Sequence, residues 1–166
     1  MKVLYKYGGI YLDTDVEVVK NFDSLLDTDM FLGYESKGVI NLAVVGVIKK
    51  HLFFREMLNF YQNEIWTSDM YIITSIATEI EKRQNIFCNS RIHEYPERYF
   101  YPFNHDVEFS KEYITADTYA IHWWGKSWND NPKKYFLKYK HFPWHKKYSK
   151  HMCKLINYYI KKLIKG

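Results

Sequence analysis

Cysteine is nearly missing from this sequence, with Cys88 and Cys153 the only two. They lie far apart without metal-type spacing, so neither a disulfide framework nor a thiolate zinc site is expected, and both read as ordinary packed or surface thiols. Long apolar runs are missing too. No stretch approaches the roughly 18 consecutive apolar residues that span a bilayer, and the opening MKVLYKYGGIYLDTD lacks the apolar segment of a secretory signal. The expectation is a cytoplasmic chain. Internal repeats and low-complexity linkers are absent, and one domain is the default for 166 residues that are 47% apolar and 19% aromatic.

Acid is missing from one end. Residues 1–130 carry 13 Lys and Arg against all 19 Asp and Glu, a balance of −6, whereas residues 131–166 carry 11 Lys and no acid, a balance of +11. The basic character is a C-terminal property, and such a block acts through its field on an anionic partner. From Pro143 the apolar residues fall at 148, 152, 155, 156, 159, 160, 163 and 164, the spacing of an amphipathic helix with lysines on its other side. Two readings stand. Residues 143–166 either pack on the domain formed by 1–142 or lie on an anionic membrane surface, peripheral to the inner face.

What is present near the start is a motif. In YGGIYLDTDVEV, residues 7–18, two glycines end a helix or turn, a short apolar strand follows, and two aspartates come one residue apart. Side chains at i and i+2 of an extended segment point the same way, so Asp13 and Asp15 are expected on one face. Two carboxylates so placed hold a hard divalent ion, Mn²⁺ or Mg²⁺, with positions left for substrate phosphates. Further on, MFLGYE (30–35) and VINLAVVGVI (39–48) read as buried strands joined by a short Ser-Lys-Gly turn. The stretch 51–65 reads as an amphipathic helix, and 67–83 as a second one capped by Thr67 or Ser68. RIHEYPERYFYPF reads as strand and loop, and TYAIHWWGKSW (118–128) as a strand opening into a loop.

LYKYGGIYLDTDVEV closely resembles the signature of the glycosyltransferases with a DXD sugar-binding region, glycosyltransferase family 32, which includes initiating mannosyltransferases and enzymes of capsular polysaccharide and lipopolysaccharide synthesis. The likeness continues through FLGYE and INLAVVGVIKKH and ends at YAIHWWGKSW, covering about residues 1–128. It implies an α/β chain of GT-A type, a short mixed sheet flanked by helices. It also implies retaining transfer of a sugar from a nucleotide-diphosphate donor to a saccharide or lipid-linked acceptor in surface polysaccharide assembly. Members carry a further βαβ section before the Gly-Gly, so the expectation is a domain lacking part of the N-terminal nucleotide-binding section. Carried over by residue, Asp13 approaches sugar or ribose hydroxyls and Asp15 ligates the metal. Gly9, Glu35, Asn41, Ser127 and Trp128 join them as donor-binding candidates, and His122 as a third metal ligand. The resemblance names no catalytic nucleophile.

Each candidate has a plainer reading. His122 alone is a satisfied strand-end histidine, three tryptophans in six residues are packing, and Glu35 and Asn41 are turn residues. Two other functions also compete. A haloacid-dehalogenase-type phosphatase shares a strand ending in Asp-X-Asp, but it needs a small Thr or Val where this chain has Glu17, and the Gly-Gly is foreign to it. A non-catalytic sugar or nucleotide module, or a nucleic-acid binder using the basic tail and its tyrosines, fits the charge; no specific nucleic-acid motif accompanies it.

Overall fold

The structure, a computed structural model, describes residues 1–89, 91–124 and nine positions of the C-terminal stretch. The chain divides into two compact units, residues 1–64 with 72–124, and residues 65–71 with 125–166.

In the first unit, α1 (Lys2–Tyr7) ends at Gly8, whose N–H donates to the Leu4 carbonyl at 2.8 Å. Only glycine fits here: φ is +71°, and a Cβ would lie 2.8 Å from both Lys49 N and the Val47 carbonyl oxygen. The chain then enters β1 (Gly9–Leu12), passes through a turn into β2 (Val16–Val18), and continues to the hairpin of β3 (Met30–Ser36) and β4 (Val39–Val47). After α2 (Leu52–Asn59) and α3 (Ile73–Gln84) come β5 (Ile92–Tyr95) and β6 (Ala120–His122). The four-stranded sheet has the order β1-β4-β3-β5, antiparallel except for the parallel β3–β5 pair, and β2 pairs antiparallel with β6 in a sheet of two.

The strands expected at 30–35 and 39–48 are β3 and β4. Ile40–Val47 are all buried, as an apolar run interrupted only by Asn41 requires in a central strand. One face of the sheet receives α3, with Thr78 Oγ1 accepting from Ile40 N at 3.0 Å. The other carries an aromatic layer of Phe22, Phe31, Phe100 and Tyr101, with the Phe31 and Phe100 ring centroids 6.1 Å apart. A Cβ at Gly46 would come within 2.0 Å of the Phe31 ring, and one at Gly33 within 2.6 Å of the Phe100 ring. Glycine at both positions lets large rings lie against the backbone.

The helix expected over 51–65 is α2 extended by a wider π turn, Phe60–Glu64. His51 caps α2, its Nδ1 accepting from Phe53 N at 3.2 Å. The helix expected over 67–83 begins later. It is α3, whose N-cap position is Ile72 with no capping side chain, so the expectation of a Thr67 or Ser68 cap is corrected. Ser68 Oγ instead accepts from Met70 N at 3.1 Å, a local bond that offers the backbone an alternative to helix entry. At its C-terminus α3 has Lys82 and Arg83 and closes on Asn85 at φ +48°.

In the second unit, residues 149, 152, 153, 156, 157, 159, 160, 163 and 164 are helical and exposed, within the stretch where an amphipathic helix is expected. Both cysteines are exposed. Among the described residues no helix is long and apolar enough to cross a membrane.

Candidate metal and donor site

The site lies where β1 gives way to β2. Asp13 N donates to the Ala43 carbonyl of β4 at 2.8 Å, and Val16 N donates to the Asp13 carbonyl at 3.1 Å, closing a turn through Thr14 and Asp15. The extended geometry expected for Asp13 and Asp15 is therefore corrected. The carboxylates converge because the turn folds them together, not because two strand residues share a face.

The next residues fix the third member. Val16 is registered opposite His122 in the β2–β6 ladder, and Trp123 N donates to the Asp15 carbonyl at 2.9 Å. The ladder delivers His122 Nε2 to 3.3 Å from Asp15 Oδ1. One ligand atom from each of Asp13, Asp15 and His122 lies within 4.8 Å of the other two. The carboxylates are half-buried, whereas His122 is buried between the rings of Tyr101 and Trp124, at 5.8 and 4.3 Å between centroids. Among the described residues no hydrogen bond reaches its Nδ1, and the packing of the two rings with Asp15 orients the imidazole.

Two tyrosines adjoin this cluster. Tyr11 donates its hydroxyl to Asp13 Oδ1 at 2.5 Å. That bond, then burial, then the charges of Asp13 and Asp15 push the phenol up to about 12, so it remains a donor through neutral pH. Tyr101 is buried in the core side of the site, donating to the Asn41 carbonyl at 3.1 Å and accepting from Val44 N at 3.2 Å. Burial is the main cause raising its pKa, and the nearby charges of Asp13 and Glu35 add to it.

Glu35 and Asn41 lie on facing strands of the β3–β4 hairpin, where the register is irregular. Asn41 Nδ2 donates to Glu35 Oε2 at 2.6 Å, and Asn41 Oδ1 accepts from Ala43 N at 2.8 Å. Asn41 is thus spent on holding the strand that anchors Asp13 and on orienting Glu35. Gly9 opens β1 opposite Val47 at φ +109°. Ser127 and Trp128 lie outside the described residues.

Tyr11, Tyr101 and Trp124 are residues that sequence reasoning missed. Trp124 adopts φ +51° and donates its indole N–H to the Phe103 carbonyl at 2.7 Å, which seats the ring beside His122. Its place in WWGKSW was visible as an aromatic cluster. Nothing in local spacing marks Tyr101, which joins a strand sixty residues earlier. Glu17, the residue out of place for a phosphatase, accepts from the Trp123 indole at 2.9 Å.

A hard divalent ion fits this donor set. It is two carboxylates and one imidazole, oxygen-dominated with a single nitrogen, which suits Mn²⁺ and, with less nitrogen preference, Mg²⁺.

Comparison with known proteins points the same way. The family described as "Glycosyltransferase sugar-binding region containing DXD motif" matches residues 1–32. The lactosylceramide 4-alpha-galactosyltransferase of Mus musculus is 30% identical over 141 residues, 75% of this chain and 38% of the mouse protein. That of Rattus norvegicus is 43% identical over 68 residues, 39% of this chain and 18% of the rat protein. The alpha-1,4-N-acetylglucosaminyltransferase of Homo sapiens is 26% identical over 142 residues, 75% of this chain and 40% of the human protein. The chain spans less than half the length of these three relatives. No solved structure matches it. Together the matched region and the relatives support a DXD-motif glycosyltransferase, and the mixed sheet flanked by helices is consistent with the GT-A type.

Proposed function

We propose that this chain carries the donor-binding and reacting portion of a metal-dependent glycosyltransferase of GT-A type, moving a sugar from a nucleotide-diphosphate donor to a saccharide or lipid-linked saccharide. The observation that carries the reading is the meeting of Asp13, Asp15 and His122 at one point, from the turn after β1 and from β6.

Asp13, Asp15 and His122 would hold Mn²⁺ or Mg²⁺, which when bound supplies Lewis-acid stabilisation of charge on the departing diphosphate. The chain's own residues do the rest. Asn41 and the Ala43 carbonyl fix Asp13, the β2–β6 ladder fixes Asp15 against His122, and Tyr101 and Trp124 exclude water from the imidazole. Tyr11 holds its proton on the oxygen that faces Asp13. In the transfer, an acceptor hydroxyl oxygen bonds to the anomeric carbon, and the bond from that carbon to phosphate oxygen breaks. The electron pair leaves with the nucleoside diphosphate, which also takes up the hydroxyl proton. The relatives are named for forming alpha linkages, and an alpha-linked donor carried to an alpha product is transfer with retention. Those names belong to a glycolipid and an N-acetylglucosamine transferase, so they add nothing to a role in capsule or lipopolysaccharide assembly and favour a saccharide carried on lipid.

Calorimetric titration of UDP and GDP into the chain, with and without Mn²⁺, tests the reading. One nucleotide should bind only with the metal, and Asp15→Asn should weaken that binding by more than about 100-fold, beyond the range seen for residues that merely support a ligand. Metal-independent binding, or full binding by Asp15→Asn, would sink it.

The tail completes the proposal. Met152, Ile156, Tyr159, Ile160, Leu163 and Ile164 are exposed positions of a helical stretch whose only charges are lysine. These features support peripheral attachment to an anionic surface on the cytoplasmic side. Sedimentation with phosphatidylglycerol-containing vesicles should fall to background when residues 143–166 are removed and should weaken in high salt; equal sedimentation with and without the tail would rule attachment out.

A further inference from the structure

Tyr101 touches both the metal-ligand cluster and a cavity. One side of its ring faces His122, at 87° between planes. Tyr101 also lines a cavity of about 350 Å³ together with Glu35, Glu97, Phe103, Asn104 and Tyr113. That volume lies within the range of roughly 300–1,000 Å³ usual for small-molecule sites. An aromatic wall joins cluster and cavity. Phe103 and Tyr113 lie 22° from parallel with centroids 6.3 Å apart, and the Phe103 ring meets the edge of Trp123 at 5.9 Å. Trp123 in turn is bound to the Asp15 carbonyl through its backbone and to Glu17 through its indole. Tyr101 and Phe103 thus connect the cavity lining to His122 and Trp123.

Its lining has the chemistry of a sugar site. A pyranose ring presents apolar C–H faces that lie on aromatic rings, and hydroxyls that both donate and accept. Tyr113, exposed and stacked on Phe103, supplies the ring. Glu35 and Glu97 supply acceptors for hydroxyl protons, and Glu35 is already oriented, one of its oxygens accepting from the Asn41 amide at 2.6 Å. Asn104 commits its carbonyl oxygen to Asp106 N at 2.9 Å, which turns its amide toward use as a donor.

Charge selects among sugars. Among the described residues, two carboxylates and no Lys, Arg or His line the cavity. A phosphate or uronate placed there meets the like charges of Glu35 and Glu97, which disfavours the donor diphosphate at this position.

Resting on the sugar-transfer reading above, we propose that this cavity is the acceptor subsite and that its occupant is an uncharged saccharide. The ring stacks on Tyr113, the hydroxyls donate to Glu35 and Glu97, and the end nearest Tyr101 points toward the metal ligands.

The test uses the whole chain and two readouts. Saturation-transfer NMR measures binding of the methyl glycosides of galactose, glucose, mannose and lactose, with methyl glucuronide as the charged counterpart. Calorimetry measures binding of UDP or GDP with Mn²⁺. The variants are Glu97→Gln and Tyr113→Ala, both outside the Asp13–Asp15–His122 cluster, with circular dichroism to verify folding. At least one neutral glycoside should bind, at least tenfold more tightly than the glucuronide. Each variant should weaken that binding at least tenfold while nucleotide binding stays within twofold. The proposal is overturned if no neutral glycoside binds, if binding survives both variants, or if the glucuronide binds as well as the neutral sugars. Neutral-glycoside binding that is lost in both variants, in a chain that binds no nucleotide with metal, supports the saccharide cavity and removes the donor reading instead.

Discussion

Asp15 is held at two levels, its carbonyl accepting from Trp123 N and its carboxylate facing His122 Nε2. The backbone bond survives replacement of the side chain, which is why Asp15→Asn separates cation binding from folding. Other positions have the opposite character. Gly46 touches no ligand, but a Cβ there would overlap the Phe31 ring at 2.0 Å, and Phe31 is buried. Gly46→Ala should cost about 1–3 kcal/mol by overpacking, read as a lower urea midpoint with an unchanged slope. An unchanged midpoint would mean that the aromatic layer yields more easily than its packing indicates. The contrast marks what could be read from residues alone. Asp13 and Asp15 announce themselves by spacing and by the Gly-Gly before them. Tyr101 does not, because its role is to bridge Asn41 and Val44 across the aromatic layer, and such a contact leaves no trace in neighbouring letters.

At the scale of elements, α2 rests on an unusual cap. His51 Nδ1 accepts from Phe53 N while its Nε2 is buried without a partner, so the ring must be neutral with its proton on Nε2. Burial lowers its pKa, and the charge of Asp29 opposes this only in part. The folded chain therefore resists a proton that the unfolded chain accepts near pH 6.5. Stability from this group is complete above that pH and is lost as pH falls below it, through the lower folded value. Glu81 acts in the other sense, since burial raises its pKa and its share of stability grows as pH falls toward the unfolded carboxylate value. Comparing urea midpoints of the wild type and His51→Asn between pH 7.5 and 5 isolates the cap. The asparagine keeps a capping oxygen, and the wild type should lose more stability than the variant over that interval. Parallel curves would remove His51 as the cause. Elements themselves were largely legible: β3 and β4 from their apolar runs, α2 from its periodicity, α1 from the Gly-Gly that ends it. The start of α3 was not, because Ser68 prefers a local bond and the helix opens at Ile73 with no capping residue to announce it. The Asp-X-Asp turn was misread as extended because a two-residue step places side chains together in either geometry.

For the molecule as a whole, a ligand that binds only the folded state adds stability as its concentration exceeds its dissociation constant, by about 2.7 kcal/mol at a hundredfold excess. Mn²⁺ should accordingly raise the melting temperature by several degrees, EDTA should reverse the rise, and Asp15→Asn should abolish it; a shift of equal size in that variant would place the ion elsewhere. The charge division along the chain was plain from the sequence, but the pairing of β2 with β6 was not, since three-residue strands so far apart carry no periodic signal. That pairing has a kinetic consequence. Asp15 and His122 close a loop of about a hundred residues, at an entropic cost on the order of 4 kcal/mol that the local β3–β4 hairpin does not bear. The hairpin can form early, whereas the three-rung ladder must wait until the intervening chain is in place. The Asp13–Asp15–His122 cluster is therefore among the last parts of the molecule to be assembled and among the first to open, and an ion seated there would act as a latch that slows unfolding without hastening the fold.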